Sequence, residues 1–328
     1  MKKKISIVLI LVLSLITFFS LFCKVEATTV TNLAPRGVSW GGSKVGSFQI
    51  DGRQAFCIDH SKTTPTTGID YGSEVYNDAR VRKILYYGWT GAGQWSGFNG
   101  DSAKGIVITT MELNKHFHGE NRSYLADFES FLDSQPDPIF TTNFSNRSLT
   151  AHIEGDKQVT NQTEITGSDK IQLTFKLQDG VTLVCDNKGW TGTGTVTVSA
   201  GDVIHFEAPL TITGSWTSSA ITNQAVFQSL IFTTSNSSYQ RLARGGSIVV
   251  DPSGTTNFSI QWVNLGNLEI HKTDSLTGKG ISNTTFRVTG NGIDTTITTD
   301  SNGYAKLEQI TPRNIQNNRN NFKFILLY

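Results

Sequence analysis

Cys57 constrains this chain more than any other residue. It sits in the run Gln54-Ala55-Phe56-Cys57-Ile58-Asp59-His60 and is one of only three cysteines. Cys23 falls in an N-terminal leader: Lys2, Lys3 and Lys4 precede an apolar run from Ile5 to Phe22, and Val25-Glu26-Ala27 supplies the small residues a signal peptidase reads. The pattern is that of a secretory signal peptide over residues 1–27, leaving 301 of the 328 residues exported. Two cysteines cannot staple a chain of that length, so the mature protein must fold on apolar cores of its own. Cys57 is then bridged, buried, or used for chemistry.

The mature length suits two domains. A formal charge of +1 provides no field for nucleic acid or a membrane surface, and no basic cluster, zinc spacing or phosphate loop is present, so no cofactor and no metal is expected. Nothing in the mature chain calls for membrane insertion. A hydrophobic content of 37% with abundant Thr, Ser, Asn and Gly suits a β-rich extracellular protein.

The pattern along the chain predicts an α+β fold, mainly β. Phe48-Gln49-Ile50 and Ala55-Phe56-Cys57-Ile58 flank Asp51-Gly52, a hairpin signal. A helical part follows over about 75–135. Its first helix opens at Asp78 and stops at Gly88; a second is capped by Asp101 and runs through His118 to Gly119; a third spans about Ser123 to Leu132. From about 145 to 265 alternating strands and Gly, Asp and Ser turns predict a sandwich or barrel, closed by Phe258-Ser259-Ile260-Gln261-Trp262-Val263. A second unit opens at Gly266 and runs to Tyr328, too short to finish a sandwich of its own.

Gln228, in Phe227-Gln228-Ser229-Leu230-Ile231-Phe232, is an amide inside an apolar strand. A thiolate that attacks a Gln carboxamide and expels ammonia leaves a thioester. The reaction is poor in water, but two strands holding sulfur against carbonyl can supply an effective molarity worth about 7–11 kcal/mol. That chemistry makes Cys57 and Gln228 candidate halves of an internal thioester, a single autocatalytic event and not a turnover enzyme, although a Gln hydrogen-bonded within a sheet is commoner and the residues alone do not select the bond. The competing reading is a Cys57–Cys185 disulfide in a passive stalk or a carbohydrate- or protein-binding surface module, with Trp89, Trp95, Trp190 and Trp216 as groove candidates. A cysteine hydrolase would need a base beside Cys57, and on a continuous strand His60 points to the opposite face.

The first unit, over about residues 35–265, resembles the thioester domain of Gram-positive surface adhesins. The resemblance rests on Phe56-Cys57-Ile58 followed by Asp59, on Leu85-Tyr86-Tyr87-Gly88, and on Phe227-Gln228 with Leu230-Ile231-Phe232, in that order. It implies a β-sandwich or barrel with a helical insertion, over residues 28–265. It also implies that an amine of a host surface or matrix protein, such as a Lys side chain, attacks the carbonyl supplied by Gln228 and frees Cys57. The protein would be secreted to the cell surface and, in a full-length form, associated with the cell wall. The family usually carries Thr-Gln-x-Ala on the second helix; the match here is Thr109-Thr110-Met111-Glu112, so Thr110 stands where an orienting amide is expected and Glu112 where a small residue is. Gln224 is an alternative partner if the register differs.

Leu268-Glu269-Ile270-His271-Lys272-Thr273-Asp274 resembles the first strand of the collagen-adhesin B-type repeat, a transthyretin-like β-sandwich, and Thr299 to Ile310 resembles its middle. That family joins the strand lysine, here Lys272, to an Asn or Asp on a last strand as an isopeptide. The sequence departs from the pattern at Arg313-Asn314-Ile315, so residues 266–328 are expected to be a truncated repeat. Lys272 would then be left without a partner and no last strand would follow.

Overall fold

The computed structural model describes residues 28–290, 293–310 and 323–327, so the leader predicted over 1–27 lies outside the described residues. Among the described residues no helix is long and apolar enough to cross a membrane. The chain divides into two compact units, one of residues 1–139 with 225–250 and one of residues 140–224 with 251–328. Strands dominate the second unit, and the three α-helices among the described residues all belong to the first.

In the first unit residues 225–233 of the strand Ile221–Thr233 neighbour residues 242–250 of the strand Leu242–Thr256, which neighbours Arg53–Cys57, then Phe48–Ile50 and Thr31–Asn32. Asp70–Val75 pairs antiparallel with Ile221–Thr233 and with Thr28–Thr29. Asp51 and Gly52 make the predicted tight turn between Phe48–Ile50 and Arg53–Cys57, with φ of 48° and 71°; a type I′ hairpin needs this left-handed pair, and the Asp-Gly dipeptide tolerates it. Ala55, Cys57, Phe48, Ile50, Tyr71, Phe232 and Leu242 bury one apolar face of this sheet.

Helix α1 spans Ala79–Tyr87, helix α2 Ser102–His118 and helix α3 Ala126–Ser134. The caps are those predicted. Asp78 accepts from the Val81 N–H, Asp101 from the Ala103 and Lys104 N–H groups, and Gly119 ends α2 in the left-handed conformation. The third helix departs at its start, where Ser123–Leu125 is a 3₁₀ turn. Helix α2 is buried continuously from Gly105 to Asn114, including Glu112, whose Oε1 accepts from Arg80 of α1 at 2.7 Å. Burial raises the Glu112 pKa; the Arg80 guanidinium opposes the shift without cancelling it.

A second ionic contact sets the register at the end of the Arg53–Cys57 strand. Cys57 lies opposite Leu242, and the Ile58 N–H donates to the Arg241 carbonyl one step further on. Asp59, 2% exposed, then takes Arg241 in a fork: the Arg241 backbone N–H and Nε reach Oδ2 at 3.0 and 2.9 Å, and Nη2 reaches Oδ1 at 2.7 Å. His118 Nε2 lies 3.0 Å from the same Oδ1 and 2.7 Å from the Ile58 carbonyl. Burial alone would raise the Asp59 pKa. The Arg241 hydrogen bonds and charge, with His118, outweigh it and hold the carboxyl well below the usual carboxylate range.

The second unit is a β-sandwich. One sheet runs Ser215–Thr217, Ser259–Gln261, Ser148–Glu154, Lys157–Thr160, Val203–Pro209, Thr163–Gly167 and Ile139–Phe144, with Thr182–Cys185 and Trp190–Thr193 branching from Val203–Pro209. Leu173–Lys176 pairs separately with Thr195–Val198. Phe144, Phe206, Phe258 and Trp262 centre its core, with the Phe206 and Phe258 rings stacked 5.0 Å apart. Towards the C-terminus, Gly266–His271 pairs with Tyr304–Ile310, and Thr285–Gly290 pairs with Ile293–Thr298. One expectation is corrected here: a strand does follow, because Lys323–Leu327 pairs antiparallel with Thr285–Gly290.

Two predictions test these contacts. Asp59 titrates below its unfolded value of about 3.9, so its contribution to stability is complete above that value and is lost as pH falls through the folded value. The gap in urea midpoint between the native chain and Asp59→Asn should therefore hold from neutral pH down to about pH 5 and close in stronger acid; a gap that widens on acidification contradicts the clamp. Arg80→Met should cost about 2–3 kcal/mol by leaving Glu112 buried without its cation, and Arg80→Met with Glu112→Leu should recover most of that in the same urea titration.

Candidate functional site

Cys57 ends its strand at the floor of a cavity of about 480 Å³ in the first unit, lined also by Gly46, His60, Thr110, Asn114 and Gln240. Its side chain is 3% exposed. Burial pushes the thiol pKa well above the ordinary value; a hydrogen bond from the Gly46 backbone pulls the other way without compensating, and the Asp59 charge adds to the rise. The resting group is a neutral thiol, which is poorly nucleophilic until a proton is removed.

The carboxamide that shares this cavity is Gln240. Its own N–H donates to Thr63 O at 3.0 Å, its carbonyl accepts from the Tyr71 hydroxyl at 2.8 Å, and its Nε2 donates to Lys62 O at 3.0 Å. Its Oε1 is buried and has no hydrogen-bond partner, and so is the hydroxyl of Thr110. A buried polar atom without a partner costs about 1–3 kcal/mol, so two in one cavity mark a place built for something other than packing. Gln240 stands two residues from Leu242, the residue opposite Cys57. Diagonal neighbours of that kind lie about 7–8 Å apart at Cα, within reach of a long side chain.

Gln228 is not brought to Cys57. Its strand is separated from the Arg53–Cys57 strand by Leu242–Thr256. A Cβ on Gly246 would lie 2.9 Å from Gln228 Cβ, which places Gln228 beside a residue four positions along from Leu242. Two strand spacings of about 4.8 Å and four residues of about 3.4 Å put the Cα atoms roughly 17 Å apart, beyond the span of a Cys–Gln thioester. Phe227, its neighbour, packs edge-on against Tyr86 with centroids 5.1 Å apart. Gln224 belongs to the second unit and donates to Asp251 at 2.7 Å.

His60 also departs from expectation. The strand stops at Cys57 and the chain bends at Ile58, so the strand alternation that would send His60 to the other face no longer applies, and both residues line the cavity. The Asn114 side chain fixes that bend. Its Nδ2 donates to the carbonyls of Cys57 at 3.0 Å and Thr110 at 2.8 Å, and its Oδ1 accepts from the His60 N–H at 2.9 Å. Of the helix motif, Thr110 faces the cavity, Thr109 accepts from the Trp89 N–H, and Glu112 turns to Arg80.

The disulfide alternative is corrected. Cys57 and Cys185 are both free thiols, Cys57 in the apolar cluster of the first unit and Cys185 in that of the second. Trp89 and Trp95 pack on Phe98 in the first unit, and Trp190 and Trp216 pack on the core of the second. Lys272 lies one residue past the Gly266–His271 strand, its backbone N–H donating to Gly303 O and its Nζ to Thr273 O at 3.1 Å.

Gln240 had a signal in the sequence. Tyr239-Gln240-Arg241-Leu242-Ala243 has the same order of residue types as Phe227-Gln228-Ser229-Leu230-Ile231. What separates them is Arg241, the mate of Asp59 across 182 positions.

Residues 38–125 match the family model for "Thioester domain" and residues 143–225 that for "TED associated beta sandwich domain". The fold is similar to that of the Bacillus anthracis TIE protein, with a TM-score of 0.50 at 15% identity, over 92% of this chain and 63% of that one. It is also similar to the thioester domain of the Enterococcus faecium TIE86 protein, with a TM-score of 0.51 at 14% identity, over 73% of this chain and 97% of that one. This chain thus spans less than two thirds of the Bacillus anthracis protein. No curated protein matches it. The chain carries a thioester domain, marked by residues 38–125 and followed by an associated β-sandwich over 143–225.

Proposed function

We propose that the protein is a secreted, surface-displayed adhesin that attaches covalently to a host protein through a thioester between Cys57 and Gln240. The observation that carries this reading is the shared cavity: a buried thiol and a buried carboxamide whose oxygen has no partner. Cys57 Sγ attacks Gln240 Cδ, the C–S bond forms and the C–Nε2 bond breaks. The thiol proton passes to the departing nitrogen, which leaves as ammonia. His60, which lines the same cavity, is the candidate base to carry that proton.

Three groups shape the step. The Lys62 carbonyl holds the leaving nitrogen, leaving Oε1 free to take up negative charge. The Thr110 hydroxyl, unpartnered in the ground state, is the donor for that oxyanion. Gly46 N–H bonds the sulfur. In the second step a host amine, such as that of a lysine, attacks Cδ; the new C–N amide forms, the C–S bond breaks, and a proton from the amine returns to Cys57. One amide forms per molecule, without turnover.

Residues 266–328 supply the start of a stalk repeat in this reading, with Lys272 at the position of the isopeptide lysine and no isopeptide expected from it.

Intact mass spectrometry of the exported chain tests the pair. The native chain should be lighter by one ammonia and should gain one methylamine when challenged, with the methylamide mapped to residue 240. Cys57→Ala and Gln240→Ala should abolish both changes, Gln228→Ala should keep both, and Thr110→Val should lower the thioester fraction. A full mass, or a loss of two hydrogens, refutes the thioester; a methylamide at residue 228 restores Gln228 as the partner.

A further inference from the structure

The proposed thioester leaves open which amine it accepts, and the cavity mouth bears on that. Its lining contains Arg36, Lys44 and Lys62, all exposed, and no aspartate or glutamate. The three cations arrive from three separate segments: the loop before Val38–Trp40, the hairpin strand Ser43–Val45, and the turn after Cys57. In a chain whose formal charge is only +1 this is a local concentration. Arg36 and Lys44 form no ion pair among the described residues. Lys62 lies 3.7 Å from Asp59, whose oxygens are already held by Arg241 and His118, so little of its charge is offset. Lys44 is seated there by the loop opposite. Gly37, at φ +78°, lets the Lys44 stem cross it; a Cβ at Gly37 would lie 2.8 Å from Lys44 Cε.

A cationic mouth over an electrophile that consumes amines is at odds with a simple lysine target, because the incoming ammonium is repelled. The conflict disappears if the lysine is carried among carboxylates. The acidic flanks then pair with the rim cations and bring the lysine to the carbonyl. We infer that Arg36, Lys44 and Lys62 are specificity determinants that select a lysine on an acidic protein segment. This rests on the thioester reading. A sulfated glycan would satisfy the charges but bring no free amine to the carbonyl, so the protein segment is the occupant the cavity favours.

The test uses the exported chain and three capped peptides with one lysine flanked by glutamates, by serines or by arginines. Intact mass before the challenge gives the thioester fraction, and adduct growth gives the rate per thioester. At low ionic strength the glutamate peptide should react about tenfold or more faster than the arginine peptide, and the ratio should collapse at about 1 M salt, where the screening length is about 3 Å. The variant Arg36→Glu, Lys44→Glu, Lys62→Glu should invert the order. Equal rates for the three peptides, with the ammonia deficit present, overturn the rim assignment and leave the thioester standing. Equal rates together with slowing by heparin assign the rim to a sulfated glycan instead. Absence of the ammonia deficit removes the thioester and this inference with it.

Discussion

The site depends on one contact, the fork between Asp59 and Arg241. These residues are 182 positions apart, and everything placed around the cavity follows from their register. Asp59 comes two residues after Cys57 and Arg241 one residue after Gln240, so a bidentate pair between them helps set Cys57 and Gln240 around one cavity. A one-residue slip would turn Cys57 away from the cavity and leave Asp59 buried without a counter-ion, a penalty of several kcal/mol. His118 ties α2 to the same carboxylate, and Asn114 ties α2 to the Cys57 carbonyl, so the helix that carries Thr110 is located by the same joint. Strand register, helix position and candidate chemistry share one ionic anchor.

Burial of Cys57 looks adverse for a nucleophile, since it keeps the thiol neutral. For a bond that must form once and then persist, the same burial helps. A neutral, recessed thiol resists oxidation before the amide is attacked, and an acyl group on a buried sulfur meets less water afterwards. The barrier to bond formation then has to be lowered by position and by hydrogen bonds, not by thiolate concentration. That matches a cavity whose conspicuous polar features are a fixed carboxamide, a spare hydroxyl and a backbone N–H on the sulfur.

The local elements were legible in the sequence because their signals are local. Asp78 and Asp101 cap helices through their side chains, Gly119 ends one in the left-handed conformation, and Asp51-Gly52 turns a hairpin. Cys57 was legible as the residue most in need of an explanation. The glutamine that shares its cavity was not, because Gln228 and Gln240 lie in runs of the same pattern, and the sheet order and the Asp59–Arg241 pairing that distinguish them are long-range. Alternation along a strand says which face a residue takes, but it cannot say that Leu242–Thr256 intervenes between Gln228 and Cys57. His60 was misread for a related reason: alternation was carried past the point where the strand stops.

The departure at Thr109-Thr110-Met111-Glu112 reads differently once the helix is placed. A glutamate where a small residue is expected would be costly on a buried helix face, yet Glu112 meets Arg80 at 2.7 Å, so the substitution comes with its counter-ion on α1. Thr110 is shorter than the amide the pattern expects and cannot reach as far across the cavity. It still presents a hydroxyl there, unpaired and buried, where an apolar side chain of the same shape would have been cheaper to fold. A group retained at that cost, in the cavity that holds Cys57 and Gln240, is better explained by a charge that develops during a reaction than by the resting structure.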